Sequence, residues 1–275
     1  MNIAQLHEEK AHPPPKILIY GDVGCGKTVL ALTLGEGTQV IDCDLGLRSG
    51  YSLQDDFTDA RRAVDVKQFP ETHMPKTAVA FAKMKSTIYD IATQCNQKRY
   101  PYKAVILDSL TVFGECALNY ILSNSSKLGT NPQIQHWGMC FTEMKMVLGV
   151  LRGLPIPVVV IGHQALSVVG KDKEAEDRIG LSIKGKNMPA EVMSLFDEVW
   201  YMRIGGTPNK RKYIIQTVHN GMVLARSRAC IPDMTDTSIG MWKLLELMGY
   251  KQQETATEKL TATETEKRTT LKLTT

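Results

Sequence analysis

The chain has 275 residues, 43% hydrophobic and 23% charged, which is enough to bury a sizeable core as one large domain. Its formal net charge of +4 permits an acidic partner such as nucleic acid without requiring one. The amino-terminal residues lack the apolar segment of a signal peptide, and no run approaches 18 consecutive apolar residues. These features predict a cytoplasmic protein with no membrane partner.

Six cysteines are scattered through the chain without a C-x-x-C pair. Several lie in apolar helical stretches, so we expect reduced thiols and no zinc site. They are Cys25, Cys43, Cys95, Cys116, Cys140 and Cys230.

Composition predicts three regions. Residues 1–15 form a polar lead-in that closes with three consecutive prolines, and residues 16–250 carry the apolar patterns of a folded core. Residues 251–275 are rich in Thr, Glu and Lys with few apolar side chains, which predicts a disordered or loosely helical tail.

The segment 16–34 predicts a buried strand, a glycine-rich turn and a helix from about Lys27. The turn fits G-x-x-x-x-G-K-[ST] at Gly21, Gly26, Lys27 and Thr28. Glycines let backbone N–H groups curl around a polyphosphate, and the following helix adds its positive end. Lys27 would reach the β- and γ-phosphates, and Thr28 would bind Mg²⁺. An ordinary strand–helix turn is the alternative. The expected nucleotide contacts are Gly21, Asp22, Val23, Gly24, Cys25, Gly26, Lys27, Thr28 and Val29.

The remaining pattern alternates between strands and helices through the first 165 residues. Apolar runs predict strands at 38–44, 102–109, 156–164, 194–203 and 212–218, with 222–230 as an extension of the later sheet. Helical periodicity predicts helices at 75–94, 111–122, 137–151 and 239–248. Polar, turn-rich residues predict an irregular segment with short elements at 46–75, a loop at 123–135 and a mobile loop at 165–186. The prediction is an α/β fold with a mostly parallel sheet, flanking helices and late antiparallel strands.

Polar side chains stand where these strands end. Because ligands bind at the carboxyl ends of parallel strands, we expect Asp42, Asp44, Asp108, His163 and Gln164 to lie near the phosphate loop. This convergence on one sheet edge is the strongest functional signal in the sequence.

Each of these residues suggests a role and an alternative. Asp108 would hold Mg²⁺ through its water shell, with a helix N-cap as the less favoured alternative. Asp44 would orient the attacking water, with Asp42 as its competitor because both belong to the segment IDCD. Gln164 would sense the γ-phosphate and signal to the following loop; otherwise His163 and Gln164 form a satisfied polar pair.

The ordered motifs GDVGCGKT, IDCD, AVILDS and VVVIGHQ, followed by a polar loop, resemble the ATPase core of RecA-type recombinases. The resemblance is closest to core-only versions encoded by bacteriophages, some of which act as single-strand annealing proteins. The later stretch GKNMPAEVMSLFDEVWYM is also similar to that phage nucleotide-binding family. The resemblance spans roughly residues 15–250. Its first motif is shared by all phosphate-loop proteins, so only the ordered set is specific.

The resemblance implies a RecA-like P-loop NTPase core with ATP and Mg²⁺ as cofactors. Lys27 and Thr28 match its phosphate and Mg²⁺ positions, Asp108 matches its Mg²⁺-water carboxylate, and Gln164 matches its switch glutamine. Asp44 stands where such recombinases usually carry a catalytic Glu. Since Asp is one methylene shorter, the water must sit closer or hydrolysis is slow.

The resemblance also implies that segments 123–135 and 165–186 face DNA. The second segment mixes basic with acidic side chains to a net charge near +1, so a solvated mixed-charge loop is the alternative. The candidate DNA contacts are Lys171, Lys173, Arg178, Lys184 and Lys186.

Two arginines alternate in LARSRAC. If Arg226 and Arg228 project toward a neighbouring subunit, they would supply positive charge to its γ-phosphate. Surface arginines on a strand are the alternative. The basic run Lys210 to Lys212 is expected at a hairpin tip.

The resemblance implies a cytoplasmic, phage-encoded ATPase of the RecA type that forms a filament or ring. It would hydrolyse ATP to ADP and phosphate and engage single-stranded DNA in recombination or annealing, with a phage or host single-strand-binding protein as a further partner. The alternatives are a ring-forming helicase or translocase and a nucleotide-gated protein scaffold. A small-molecule kinase is disfavoured because no acceptor-binding module or arginine-rich lid is evident.

Overall fold

The computed structural model describes residues 13–71, 77–169, 176–185, 188–207 and 210–251. The predicted lead-in, most of the predicted tail and parts of the predicted loops lie outside these ranges. Within them, ten strands form one sheet. They are β1 (Lys16–Gly21), β2 (Thr38–Asp42), β3 (Asp65–Gln68), β4 (Ala104–Asp108), β5 (Val158–Val169), β6 (Glu176–Leu181), β7 (Glu198–Thr207), β8 (Lys210–Gln216), β9 (Arg226–Ser227) and β10 (Thr235–Asp236).

Helices separate the strands and cover the sheet. They are α1 (Lys27–Leu32), α2 (Arg48–Ser52), α3 (Thr58–Arg62), α4 (Ala80–Asn96), α5 (Leu110–Asn124), α6 (Ile134–Arg152), α7 (Met188–Ser194) and α8 (Met241–Leu247), with a 3₁₀ turn at Thr237–Ile239. None of the described helices is both long enough and apolar enough to cross a membrane.

Six strands run parallel in the order β3–β2–β4–β5–β1–β7. The late strands are antiparallel: β8 and β9 pair with β7, and β10 pairs with β8. This confirms the predicted α/β class with a mostly parallel sheet and late antiparallel strands. The central strand β1 is buried along its whole length, which is why its sequence is apolar without interruption.

Alternation along β1 divides the core between the two faces of the sheet. Leu18 and Tyr20 point to the face covered by α4, α5, α6 and α7. Ile17 and Ile19 point to the opposite face, which α1 and α8 cover. The two apolar layers hold β1 between them and fix the direction in which its carboxyl end points.

One predicted segment differs from the structure. Instead of a loop over 165–186, β5 continues to Val169 and pairs with β6 as an antiparallel hairpin, from Gln164 opposite Leu181 to Val169 opposite Glu176. The prediction was wrong because polar, charged residues suit a solvated hairpin as well as a loop. The partner strand that supplies the hydrogen bonds is not visible in the local pattern.

The long helices meet through a cluster of aromatic rings. Phe81 on α4 is fully buried, and its ring centroid lies 5.1 Å from that of Phe113 and 5.5 Å from that of Tyr120 on α5. These contacts attach α4 to the sheet through α5.

We expect Phe81→Ala to lower the free energy of unfolding by about 3–5 kcal/mol, because it removes buried area and leaves a cavity between two helices. Chemical denaturation measures the change. Tyr89→Ala, on the exposed side of the same helix, is the control and should change stability by less than about 0.5 kcal/mol. Equal effects of the two substitutions would contradict the assigned packing.

Candidate nucleotide-binding site

The parallel register brings the polar strand ends to one edge of the sheet. Gly21 at the end of β1 lies opposite His163 of β5, and Asp42 at the end of β2 lies opposite Asp108 of β4. Asp108 in turn pairs in register with Ile161 of β5. The sequence prediction that these residues converge is therefore matched by the strand pairing itself.

A cavity of about 710 Å³ opens at this edge. Its size lies within the range of small-molecule sites. It is bordered by the phosphate loop, by charged side chains near the strand ends, by the β7–β8 hairpin and by the 3₁₀ turn. Its lining includes Gly24, Gly26, Lys27, Thr28, Val29, Asp44, Asp108, His163, Arg211, Lys212, Tyr213, Asp236, Thr237 and Ser238.

The loop between β1 and α1 needs glycine where it bends. Gly24 and Gly26 have φ angles of 76° and 92°, in the left-handed region that side-chain-bearing residues rarely adopt. A Cβ on Gly26 would also lie 3.1 Å from the Tyr213 ring and 3.1 Å from the Met202 methyl. Both positions therefore favour glycine, Gly24 because of its backbone angle and Gly26 also because of its close neighbours.

Lys27 is buried within this loop. Its Nζ donates to the carbonyl oxygens of Gly21 at 3.0 Å and Asp22 at 2.7 Å. The Cys25 thiol is 3.8 Å from Nζ, and burial raises the pKa of this thiol, so it stays neutral beside the ammonium. Binding a phosphate here would exchange loop carbonyls for phosphate oxygens around the ammonium group.

The adjacent hydroxyl and carboxylate are paired. Thr28 Oγ1 donates to Asp108 Oδ2 at 2.7 Å, and burial raises the pKa of Asp108 to about 6. A buried carboxylate with few partners favours a nearby cation, and oxygen donors are the ligands of Mg²⁺. The pair therefore fits Mg²⁺, with Thr28 as ligand and Asp108 acting through water. The described residues contain no cluster of three or more His, Cys, Asp or Glu side chains that could hold a metal ion.

Asp42, the last residue of β2, and Asp44, two residues further on, are in different environments. Asp44 borders the cavity, and its Oδ2 lies 3.2 Å from His163 Nε2, a hydrogen bond that lowers the pKa of Asp44. Asp42 is fully buried and accepts hydrogen bonds from Leu45 N at 2.8 Å and Gln68 Nε2 at 3.0 Å. Asp44 is thus the carboxylate with access to a ligand. Its role in hydrolysis stays a prediction.

Comparison with known proteins agrees with this geometry. A protein-family profile described as an AAA domain matches residues 13–229. The chain belongs to the AAA domain family. The comparison with curated proteins found no match. Membership in the AAA domain family supports nucleotide binding, ATPase activity and the usual Mg²⁺ cofactor.

Two polar residues midway along β5 of this AAA domain, His163 and Gln164, occupy different environments. His163 borders the cavity, whereas Gln164 does not. Successive strand residues point to opposite faces, so only one of the pair can face the phosphate loop. The sensor role of Gln164 stays a prediction, and His163 is the residue of the pair in contact with Asp44.

The two candidate trans arginines lie at the opposite edge of the sheet. Strand β9 pairs with the first residues of β7, far from the point where Met202 meets Gly21. The Arg226 guanidinium donates to the carbonyl oxygens of Met193 and Phe196. Arg228 Nη1 pairs with Asp197 Oδ1 at 2.8 Å. Both arginines lie outside the cavity of their own AAA domain, and a trans role stays a prediction.

The candidate DNA contacts are partly described. Arg178 is half-buried on β6, and the exposed Lys184 has its Nζ 3.8 Å from Glu115 Oε1. Lys171, Lys173 and Lys186 lie outside the described residues.

Sequence reasoning missed the cavity wall that Arg211, Lys212 and Tyr213 form, here called the far wall. The run Lys210 to Lys212 was expected at a hairpin tip, and Lys210 does pair with Thr207 there. Arg211, Lys212 and Tyr213 instead border the cavity. The predicted strand at 212–218 was the available signal, but its position over the phosphate loop depends on the pairing of β7 with β1, which no local pattern reveals.

We expect Lys27→Ala to weaken ATP binding by about 10- to 100-fold, since it removes a charged hydrogen-bond donor from a buried site. Isothermal titration calorimetry of the AAA domain with ATP and Mg²⁺ measures the loss. Lys243→Ala, an exposed lysine on α8, is the control. Normal ATP binding and hydrolysis by Lys27→Ala would contradict the assigned site.

We expect Asp108→Asn to stabilise the nucleotide-free protein by roughly 1–3 kcal/mol at pH 7.5, with the gain shrinking toward pH 4. The folded-state pKa of about 6 lies above the ordinary value of 3.8. The stability that Asp108 contributes is therefore complete below about pH 4 and lost as pH rises through 6. Asn, which does not ionise, avoids this loss.

Thermal denaturation at several pH values without nucleotide or Mg²⁺ measures this difference. Asp90→Asn, an exposed carboxylate on α4, is the matched control and should show no such trend. A stability difference for Asp108→Asn that does not change with pH would contradict the burial argument.

Proposed function

We propose that this chain is an ATPase of the RecA type that uses bound ATP and Mg²⁺ to engage single-stranded DNA in recombination or annealing. The observation that carries the proposal is the meeting of Lys27, the Thr28–Asp108 pair and the Asp44–His163 pair at one cavity. A phosphate-binding cation, a Mg²⁺ position and an ionised carboxylate are the parts that γ-phosphate hydrolysis needs.

The proposed reaction is in-line attack of water on the γ-phosphorus, with cleavage of its bond to the bridging oxygen. Asp44 is ionised at neutral pH, and the hydrogen bond from His163 lowers its pKa further below the ordinary value, so it can accept a hydrogen bond from the attacking water. Lys27 would bind the β- and γ-phosphates. Mg²⁺, when bound, would neutralise charge that develops on the phosphate oxygens.

The RecA assignment is supported by the ordered motifs and by the path of β5. This strand carries His163 at the cavity and continues into the β5–β6 hairpin. Arg178 lies on that hairpin and Lys184 just after it. A change at the γ-phosphate position could therefore move a basic surface through a single strand. This is the coupling that an ATP-dependent DNA-binding protein requires.

The proposal extends to assembly. In a filament or ring that stacks opposite sheet edges, Arg226 and Arg228 of one subunit would face the cavity of the next. Such a protein would act in the host-cell cytoplasm beside a phage or host single-strand-binding protein.

A second candidate is a nucleotide-gated protein scaffold. It is favoured by the short Asp44 side chain, which suits slow turnover, and by the mixed charges of the hairpin region. It predicts ATP binding with negligible hydrolysis and no affinity for DNA.

The deciding experiment measures the steady-state ATPase rate with and without single-stranded DNA across a salt series. We expect stimulation that fades as salt rises, because phosphate contacts release counterions. A flat response, together with no DNA binding in a filter or anisotropy assay, would refute the recombinase proposal and leave the scaffold.

We expect Asp44→Asn to keep ATP affinity within about 3-fold while lowering kcat by about 100-fold or more, since it removes the group that orients water. Binding by calorimetry and turnover by phosphate release separate the two effects. Asp42→Asn is the paired variant, with a thermal melt to verify its fold. Loss of turnover in a folded Asp42→Asn protein but not in Asp44→Asn would show that the wrong carboxylate was chosen.

A further inference from the structure

The cavity extends well beyond the groups that would hold a triphosphate. Lys27, Thr28 and Asp108 mark the phosphate end. Phe57, Tyr213 and the segment Asp236–Ser238 also border the cavity. A ligand whose phosphates bind at the loop must place its remaining atoms against one of these walls.

Tyr213 is held in a fixed position over the phosphate loop. It pairs with Ile204 across the β7–β8 hairpin, and its carbonyl oxygen accepts a hydrogen bond from Thr237 Oγ1 at 3.0 Å. Its ring lies so close to Gly26 that a Cβ there would be 3.1 Å from Cδ1. The strand and the bare loop together set the orientation of the ring.

The Tyr213 ring is only partly buried by the fold. Tyr213 is 40% exposed while bordering the cavity, and no other described aromatic ring stacks on it. A partly exposed tyrosine ring that borders a cavity offers a flat aromatic surface on which a nucleobase can stack.

A second aromatic side chain borders the cavity. Phe57 lines it, and its ring packs where a side chain on Gly240 would stand, 2.6 Å from the Cβ position. Charged groups of both signs accompany the rings, since Arg211 and Lys212 also line the cavity and Asp236 Oδ2 lies 3.7 Å from Lys212 Nζ. Aromatic surface among a few polar groups is what a site for a planar heterocycle requires.

We propose that Tyr213 is the base-binding residue of this site: the nucleobase of the bound nucleoside triphosphate stacks on its open face, with Phe57 as an apolar wall. The proposal rests on the proposed nucleotide function. It assigns the base to the antiparallel part of the sheet, whereas the phosphates belong to the parallel part.

The test compares ATP with inorganic tripolyphosphate, which has the phosphates but no base, by calorimetry with Mg²⁺. Tyr213→Ala should weaken ATP binding by about 5- to 100-fold, the range found when a stacking aromatic is removed. Binding of tripolyphosphate should stay within about 2-fold of wild type. Tyr213→Phe, which keeps the ring, should bind both ligands as wild type does.

Two further variants separate stacking from loop support. Tyr213→Leu keeps apolar contact with Gly26 but has no aromatic face, so it should lose ATP affinity and retain tripolyphosphate affinity. Tyr89→Ala removes a tyrosine of equal exposure, 39%, from α4 and should change neither affinity.

Equal weakening of both ligands by Tyr213→Leu, or unchanged ATP binding, would overturn the base assignment while leaving the phosphate site intact. A wild-type protein that binds neither ligand would instead refute the nucleotide site itself, and the base assignment with it. Lys27→Ala should weaken both ligands, which distinguishes a phosphate contact from a base contact.

Discussion

The parallel pairing of β1 with β5 on one side and β7 on the other is the constraint on which the site depends. Gly21 lies opposite both His163 and Met202, so the phosphate loop begins between two strands that each carry part of the cavity. Because β1 is buried on both faces, its register is fixed by packing on two apolar layers. The loop therefore needs no ligand to be positioned against the carboxylates and the far wall.

The same edge concentrates three carboxylates, and each is stabilised in a different way. Asp42 is satisfied by hydrogen bonds from Gln68 and Leu45, and Asp44 by His163. Asp108 has the Thr28 hydroxyl, and its raised pKa shows that burial outweighs this partner. The site thus has a deficit of positive charge where Mg²⁺ would bind, while the Lys27 ammonium is held by its own loop.

The sequence was sufficient for features that depend on short-range patterns. The phosphate loop, the α/β class and the position of Asp44 and Asp108 at strand ends follow from local periodicity and spacing. The β5–β6 hairpin and the Tyr213 wall do not, because each depends on a partner strand distant in sequence. Which of His163 and Gln164 borders the cavity is also not evident from the sequence, because VVVIGHQ is apolar on both faces and its pattern does not show which residue faces which side.

The directions in which His163 and Gln164 point matter for how the cavity and the hairpin are connected. At their junction on β5, His163 Nδ1 and Gln164 Oε1 are both buried without a hydrogen-bond partner among the described residues. An unpaired buried polar atom costs about 1–3 kcal/mol. A small shift of β5 at these two residues that gave either atom a hydrogen-bond partner would recover that free energy. The two atoms belong to successive residues, one that contacts Asp44 and one at the base of the hairpin. In the proposed ATPase, this part of β5 would connect an occupied γ-phosphate position to the hairpin.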